Sequence, residues 1–293
     1  CSNGALSGSS TFSSCVVAKP QVKKISVGAY HRCVLVDDNV QCWGTTYGAD
    51  RAFFRAGYND FGPPSAPATV LNSGITDIAA HSFGNICYVS NGALNCTGGD
   101  GSIPLNITLA SSGATNVFTS ALNYPVCGTV NGQLQCWNRD FSATPNKIVN
   151  MDMGSAQGLA VTEMSFNLSN SDTTESACAV LTSGALSCWD WSLTPNPKTM
   201  FASGATKIAT EGKEVFCAVV NSDLYCWTKN QKSFSLADGT SSSSESPLLV
   251  MRGVLTVSMA WSPQVPPGQV CVVKSDTSVQ CWSDGIAAKT IVT

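Results

Sequence analysis

Charge is scarce in this chain. Only 12% of its 293 residues are Asp, Glu, Lys or Arg, about half the usual share. The formal net charge is -3. So weak a field gives no electrostatic reason to expect nucleic acid or an anionic membrane as partner. Hydrophobic content of 43% suffices to bury a core, so low charge does not mean disorder. Long apolar runs are missing too. The nearest, Leu248 to Trp261, is shorter than a membrane span and carries Arg252, so no transmembrane segment is expected. No leader is visible, and the start at Cys1 reads as a processed N-terminus. A lipid-modified Cys1 is the rival reading, and it leaves Cys15 without a partner.

Catalytic chemistry is thinly represented. There are two histidines, His31 and His81. No Gly-x-Ser-x-Gly, His-Glu-x-x-His or phosphate-binding loop occurs. His81 follows Ala79-Ala80 and reads as a packed or rim residue. Asp37-Asp38 reads as a turn. Zinc sites want Cys-x2-4-Cys knuckles, and none is present. No catalytic residue, metal site or cofactor is therefore expected.

Cysteine is abundant. The fourteen form seven adjacent pairs: Cys1–Cys15, Cys33–Cys42, Cys87–Cys96, Cys127–Cys136, Cys178–Cys188, Cys217–Cys226 and Cys271–Cys281. Four pairs enclose eight residues and two enclose nine; only the first departs from this spacing. An even count at local spacing favours disulfides in an oxidising compartment, hence an extracellular or cell-surface protein.

The stretch Cys87 to Cys96 shows what each pair does. Asn91-Gly92 is a strong signal for a type I′ turn. Counting outward, Ser90 meets Ala93, Val89 meets Leu94, Tyr88 meets Asn95, and Cys87 meets Cys96. The cysteines fall on a non-hydrogen-bonded pair, close enough to be bridged. Each staple closes a loop of about ten residues and contributes about 2–3 kcal/mol. The copies with nine enclosed residues need three-residue loops, centred on Ser183 and Asp276. Five of six copies place Trp directly after the second cysteine; the second copy has Thr97. Adjacent strand residues face opposite sides, so each hairpin shows a disulfide on one side and a ring on the other.

Two short apolar segments precede each hairpin, such as Ala68–Leu71 and Ile75–Ala79. Each repeat is thus read as four strands. First cysteines recur at intervals of 39 to 54 residues. Four strands per unit at this period point to an all-β chain, a β-propeller of four-stranded blades with one hairpin disulfide per blade. Residues 1–293 then form a single domain with six complete repeats at about 15–45, 65–98, 103–138, 143–190, 194–228 and 247–283. Ser2–Leu6 repeats Ser90–Leu94 residue for residue, and Thr290–Thr293 looks like a first strand. Those ends favour seven blades, with six as the alternative.

The segment Ile25-Ser-Val-Gly-Ala-Tyr-His31-Arg-Cys-Val-Leu35, with Val40-Gln-Cys-Trp-Gly44, resembles the repeats named for the regulator of chromosome condensation. The chain is more similar to their disulfide-bearing version in crinkly-type plant receptor kinase ectodomains. The resemblance implies a propeller, usually of seven blades, with His31 in a structural role. The Gly-Gln-Leu-Gly element of the nuclear proteins is absent, so nucleotide exchange and chromatin binding are not implied.

Insertions mark a working face. Thr45–Pro67, Thr162–Ser176, Lys229–Pro247 and Ser262–Gln269 are all expected to leave the same end of the blades. The first holds Tyr47, Arg51, Phe53, Phe54, Arg55, Tyr58 and Phe61. Aromatics with arginine suit protein contacts, and aromatic faces stack on sugars. The competing reading is a satellite core of Phe53, Phe54 and Phe61. Asn106 and Asn167 head sequons for N-glycans. Asn95, within a staple, is a poor acceptor. Ser241–Ser246 reads as a flexible loop or an O-glycan site. The expected function is contact without catalysis: an extracellular recognition module or a subunit of a coat or fibre, with protein or its own copies as partner. A lectin is the alternative, with glycan as partner. A propeller glycosidase, its carboxylates converging at the axis, is the remote one.

Overall fold

The structure is a computed structural model. It describes residues 22–27, 31–44, 68–71, 73–80, 86–97, 107–119, 125–140, 147–167, 176–190, 196–210, 215–229, 233–260, 269–283 and 286–292. Asn91 and Gly92 take φ of 50° and 76°, so their turn is type I′. Pairing runs outward to Cys87 and Cys96, which are joined with Cα atoms 4.0 Å apart. Asn131-Gly132 and Asn221-Ser222 make the same left-handed turn. The two longer copies close through three-residue loops: the Leu181 amide donates to Ala185, and the Lys274 amide to Ser278. In the second loop the Asp276 carboxylate accepts from the Ser278 hydroxyl at 2.6 Å and its amide at 3.0 Å. Those bonds hold its acid below the ordinary carboxylate range. Cys33–Cys42, Cys87–Cys96, Cys127–Cys136, Cys178–Cys188, Cys217–Cys226 and Cys271–Cys281 are all disulfides. Cys1 and Cys15 lie outside the described residues.

Each hairpin is the middle of a four-stranded antiparallel sheet. Blade 1 comprises Val22–Val27, His31–Val36, Asn39–Gly44 and Ala68–Leu71. Blade 2 comprises Ile75–Ala80, Ile86–Ser90, Ala93–Thr97 and Ile107–Ala110. Blade 3 comprises Ala114–Thr119, Val126–Val130, Gln133–Asp140 and Lys147–Asn150. Blade 4 comprises Val161–Asn167, Ser176–Leu181, Leu186–Asp190 and Lys198–Phe201. Blade 5 comprises Ala205–Thr210, Val215–Val220, Asp223–Thr228 and Leu248–Arg252. Blade 6 comprises Val254–Ala260, Gln269–Lys274, Val279–Ser283 and Ile286–Val292. First strands of successive blades pack on one another, so they are the inner strands around the axis.

Three expectations are corrected here. The sheets are out of phase with the sequence repeats by one strand. Ala68–Leu71 pairs with Asn39–Gly44 of the preceding hairpin, and Ile75–Ala80 opens the next sheet. So short a link normally joins paired strands; here it crosses between blades. Seven blades give way to six among the described residues. Thr290 belongs to Ile286–Val292, the outer strand of blade 6, rather than to a seventh sheet. Thr162–Asn167 is strand rather than loop.

The core lies between blades. Cys87, Val89, Leu94 and Cys96 of blade 2 cluster with Ala114, Val117, Val126 and Trp137 of blade 3. Trp189 likewise joins the cluster of Cys127 and Cys136, Trp227 that of Cys178, and Trp282 that of Cys217 and Cys226. At these four boundaries the disulfide face packs on the tryptophan face of the next blade. Where Thr97 replaces Trp, Ile86 and Tyr88 fill the space against Cys33 and Cys42. Burying one such aliphatic side chain is worth about 1.5–3 kcal/mol.

Turns tie the blades a second time. The Ala114 amide donates to Gly92 O at 2.8 Å, and the Asn131 amide donates to Gly113 O at 2.8 Å. Ala205 to Gly184, Asn221 to Gly204, Val254 to Ser222 and Ser275 to Gly253 repeat this belt. Between blades 3 and 4 the link is longer. It carries a single 3-10 turn, Gly154–Ala156, and buries Met153 and Ala156. That insertion sits at the turn end, opposite the expected face.

Gly113 has φ +76°, and an added Cβ would collide with Asn131 Oδ1. Gly113→Ala is expected to cost about 2 kcal/mol, from left-handed strain and displacement of the amide. Thr277 holds φ 70° without that collision. Thr277→Gly is expected to gain about 1 kcal/mol. Thermal unfolding of the oxidised protein checks both; equal effects of one sign would contradict the turn geometry.

Candidate functional site

The inner strands line the axis, and their chemistry follows from a bulge present in all six blades. It falls between Val22 and Lys24, Ile75 and Asp77, Ala114 and Asn116, Val161 and Glu163, Ala205 and Lys207, and Val254 and Thr256. A bulge inserts one unpaired residue and re-aims its neighbours. In four blades the extra residue is threonine: Thr76, Thr115, Thr162 and Thr206. Each hydroxyl donates to a carbonyl of the second strand, at 3.2 to 3.5 Å. These threonines were missed in the sequence. The recurrent apolar–Thr–polar–apolar pattern after a turn would have found them.

The residue after the bulge is polar in every blade: Lys24, Asp77, Asn116, Glu163, Lys207 and Thr256. Lys24 Nζ donates to Asp77 Oδ1 at 2.6 Å, and the Val117 amide donates to Asp77 Oδ2 at 2.8 Å. Asp77 is buried, and it ties blades 1, 2 and 3. Lys207 Nζ reaches Glu163 Oε2 at 2.8 Å across blades 4 and 5. That pair is half-exposed, so it contributes at most about 1 kcal/mol. Among the described residues, the axial charges are spent on each other across blade boundaries. His81 lies outside those residues. His31 opens the second strand of blade 1, opposite Gly44.

The other end of the blades carries the expected insertions. Lys229, after blade 5, donates to Asp190 Oδ1 at 2.6 Å and Ser176 Oγ at 3.1 Å of blade 4. The chain beyond it forms a two-stranded strap, Phe234–Ser235 against Ser241–Ser242. Phe234 is buried in the blade 5–6 core. Ser235 O accepts the Trp282 indole N–H at 3.1 Å, and Ala237 O accepts the Ala288 amide at 2.8 Å. A buried indole N–H left unpaired costs about 1–3 kcal/mol. The Trp189 indole has no partner among the described residues, so the strap's carbonyl is a specific gain for blade 6. This insertion bridges two blades. Within Ser241–Ser246, read as a flexible loop or an O-glycan site, Ser241–Ser242 is a paired strand.

Tyr47, Arg51, Phe53, Phe54, Arg55, Tyr58 and Phe61 lie outside the described residues. The strands that bracket them are described: Asn39–Gly44 runs into the insertion, and Ala68, opposite Cys42, leaves it. Asn106 is outside as well, but its sequon partner Thr108 is exposed on the outer strand of blade 2. The Thr108 hydroxyl donates to Asn95 Oδ1 at 2.8 Å, so the Asn95 amide is engaged. Asn167 ends the inner strand of blade 4, opposite Ser176. Among the described residues, Thr108 on the outer strand of blade 2 and Asn167 at the end of the inner strand of blade 4 stand on different blades.

No family model matches the sequence, and no curated protein matches it. Solved structures do match its shape. The WD40 domain of SCAP from fission yeast superposes with a TM-score of 0.52 at 11% identity, covering 90% of this chain and 66% of that one. A chain of the mitotic checkpoint complex gives 0.52 at 11% identity, covering 92% of this chain and 78% of that one. The first of these is a WD40 domain, a β-propeller. At such low identity the likeness shows the fold alone.

Asp77→Ala leaves Lys24 and the Val117 amide unpaired at the axis. It is expected to cost about 2–3 kcal/mol. Asp77→Asn keeps an acceptor for Val117 and should cost less. Denaturant unfolding of both variants checks the order, and the reverse order would contradict the bridging role.

Proposed function

We propose that this chain is a secreted, non-enzymatic propeller that works by contact, through the insertion Thr45–Pro67. The observation that carries the reading is the stapling of six blades in succession. Disulfides of this kind persist in oxidising surroundings, and they give a rigid support on which a loop acts without reorganising. The insertion leaves and rejoins adjacent strands of one stapled sheet, which fixes both of its ends. Its five aromatics and two arginines have the composition of contact hot spots. We also propose N-glycans at Asn167 and Asn106, and kinship with the disulfide-bearing repeats of crinkly-type ectodomains. The partner is protein, either a surface receptor or a further copy in a coat or fibre. Carbohydrate binding is the second reading, because the same aromatic faces can stack on sugars.

Labelled full-length protein, applied to untreated and enzymatically deglycosylated cells of its source, tests this. Phe53→Ala/Phe54→Ala is expected to weaken binding at least about tenfold, with deglycosylation leaving it unchanged. Binding lost on deglycosylation makes the protein a lectin. A double variant that unfolds puts both rings in a satellite core and removes the insertion from the contact. Sedimentation over a hundredfold concentration range separates a monomeric module from a self-assembling subunit.

A further inference from the structure

The six described staples are not equally protected. In blades 1, 2, 3 and 5 both half-cystines are 0–2% exposed. In blade 4, Cys178 is fully buried beside a half-buried Cys188. In blade 6 neither Cys271 nor Cys281 is buried. The cause is the place of blade 6 at the end of the series. The inner strands of blades 6 and 1 do not pack on each other as the other five neighbouring pairs do, among the described residues. Val22 and Ile25, on the inner strand that comes next around the axis, are 60% and 65% exposed.

Strand pairing sets what surrounds the blade 6 bridge. Ser258 stands opposite Cys271 and Lys289 opposite Cys281, so the four side chains share one face in a row across the sheet. Ser258 and Lys289 are exposed. In blade 5 the same row is Ala209, Cys217, Cys226 and Leu248, and its first three members are buried. Lys198 stands opposite Cys188 in blade 4, but there the other half-cystine is sealed. Thiol–disulfide exchange depends on access to a sulfur and on how well the departing thiolate is stabilised, and a neighbouring lysine stabilises a thiolate. Among the described staples, blade 6 alone combines two uncovered half-cystines with a cation on their face.

We propose that Cys271–Cys281 is a thiol-exchange site, opened in the folded protein by a dithiol reductant while the other five described staples stay closed. The donor's thiolate attacks Cys271 Sγ, forming a mixed disulfide and breaking the Cys271–Cys281 bond. Cys281 departs as a thiolate on the face that carries Lys289. The donor's second thiolate then attacks its own sulfur in the mixed disulfide and releases Cys271. Two electrons and two protons pass to Cys271 and Cys281, and the donor is left as a disulfide. Cys281 precedes Trp282, whose indole donates to Ser235 O, so opening this site also loosens the strap.

Dithiothreitol applied to the full-length oxidised protein tests this, with timed alkylation and mass mapping of each cysteine pair at several urea concentrations below the unfolding transition. Cys271 and Cys281 are expected to be labelled at least about tenfold faster than any of the other five pairs, at a rate that urea leaves unchanged. Lys289→Glu is expected to slow that rate several-fold, and hydrogen exchange across Phe234–Ser242 to quicken once the pair is alkylated. Another of these pairs opening first, or all six opening together, overturns the proposal. So does a rate at Cys271–Cys281 that climbs with urea, because exchange then waits for blade 6 to unfold.

Discussion

Cystine against tryptophan is the contact on which this molecule is built. A strand alternates its side chains between two faces, so a half-cystine and the residue after it point to opposite sides of the blade. The sulfurs face forward and the ring faces back. Stacked around an axis, the ring of one blade meets the bridge of the blade before it, as Trp137 meets the cluster of Cys87 and Cys96. One covalent bond thus fastens a hairpin that would be marginal alone, and it also supplies apolar surface to the next sheet. The arrangement tolerates loss of a ring. At Thr97 the second strand compensates with Ile86 and Tyr88.

Two polar systems reinforce that packing from either side. At the turn end, the first amide of a blade's entry strand donates to a carbonyl of the preceding blade's hairpin turn. At the axis, Asp77 and Glu163 accept from lysines of neighbouring blades. Polar groups that elsewhere would mark a ligand site are consumed here in holding blades together. The strap after Lys229 has the same character, since it roofs the boundary of blades 5 and 6 and completes the bonding of Trp282. Structure claims the axial charges and one long insertion.

Much of this was legible in the residues. Asn91-Gly92 announced its left-handed turn, and that turn set the register that opposes Cys87 and Cys96. The nine-residue spacings at Ser183 and Asp276 announced loops longer by one. These features are local, governed by a few dihedrals and by the two-residue period of a strand. The grouping of strands into sheets was not legible. Ala68–Leu71 and Ile75–Ala80 are separated by a link short enough for a hairpin, and nothing in their composition says that the chain steps across to another blade there. The axial threonines were readable in principle, because they recur at one offset from the turn, but their hydroxyls found partners only once the bulge existed.

The sequence alone therefore determined the hairpins, their disulfides, the four-strand period and the oxidising surroundings those disulfides require. The hairpins and their disulfides depend on residues within about ten positions of one another. Tertiary structure decided the phase of the sheets, the assignment of Ile286–Val292 to the sixth blade, and the pairing of Lys24 with Asp77 and of Lys207 with Glu163. It also decided that the Lys229 insertion packs as a strap and that Val22 and Ile25 lie open. The two ion pairs and the strap depend on which blade comes to lie against which, a relation between residues 44 to 53 positions apart that no local pattern carries.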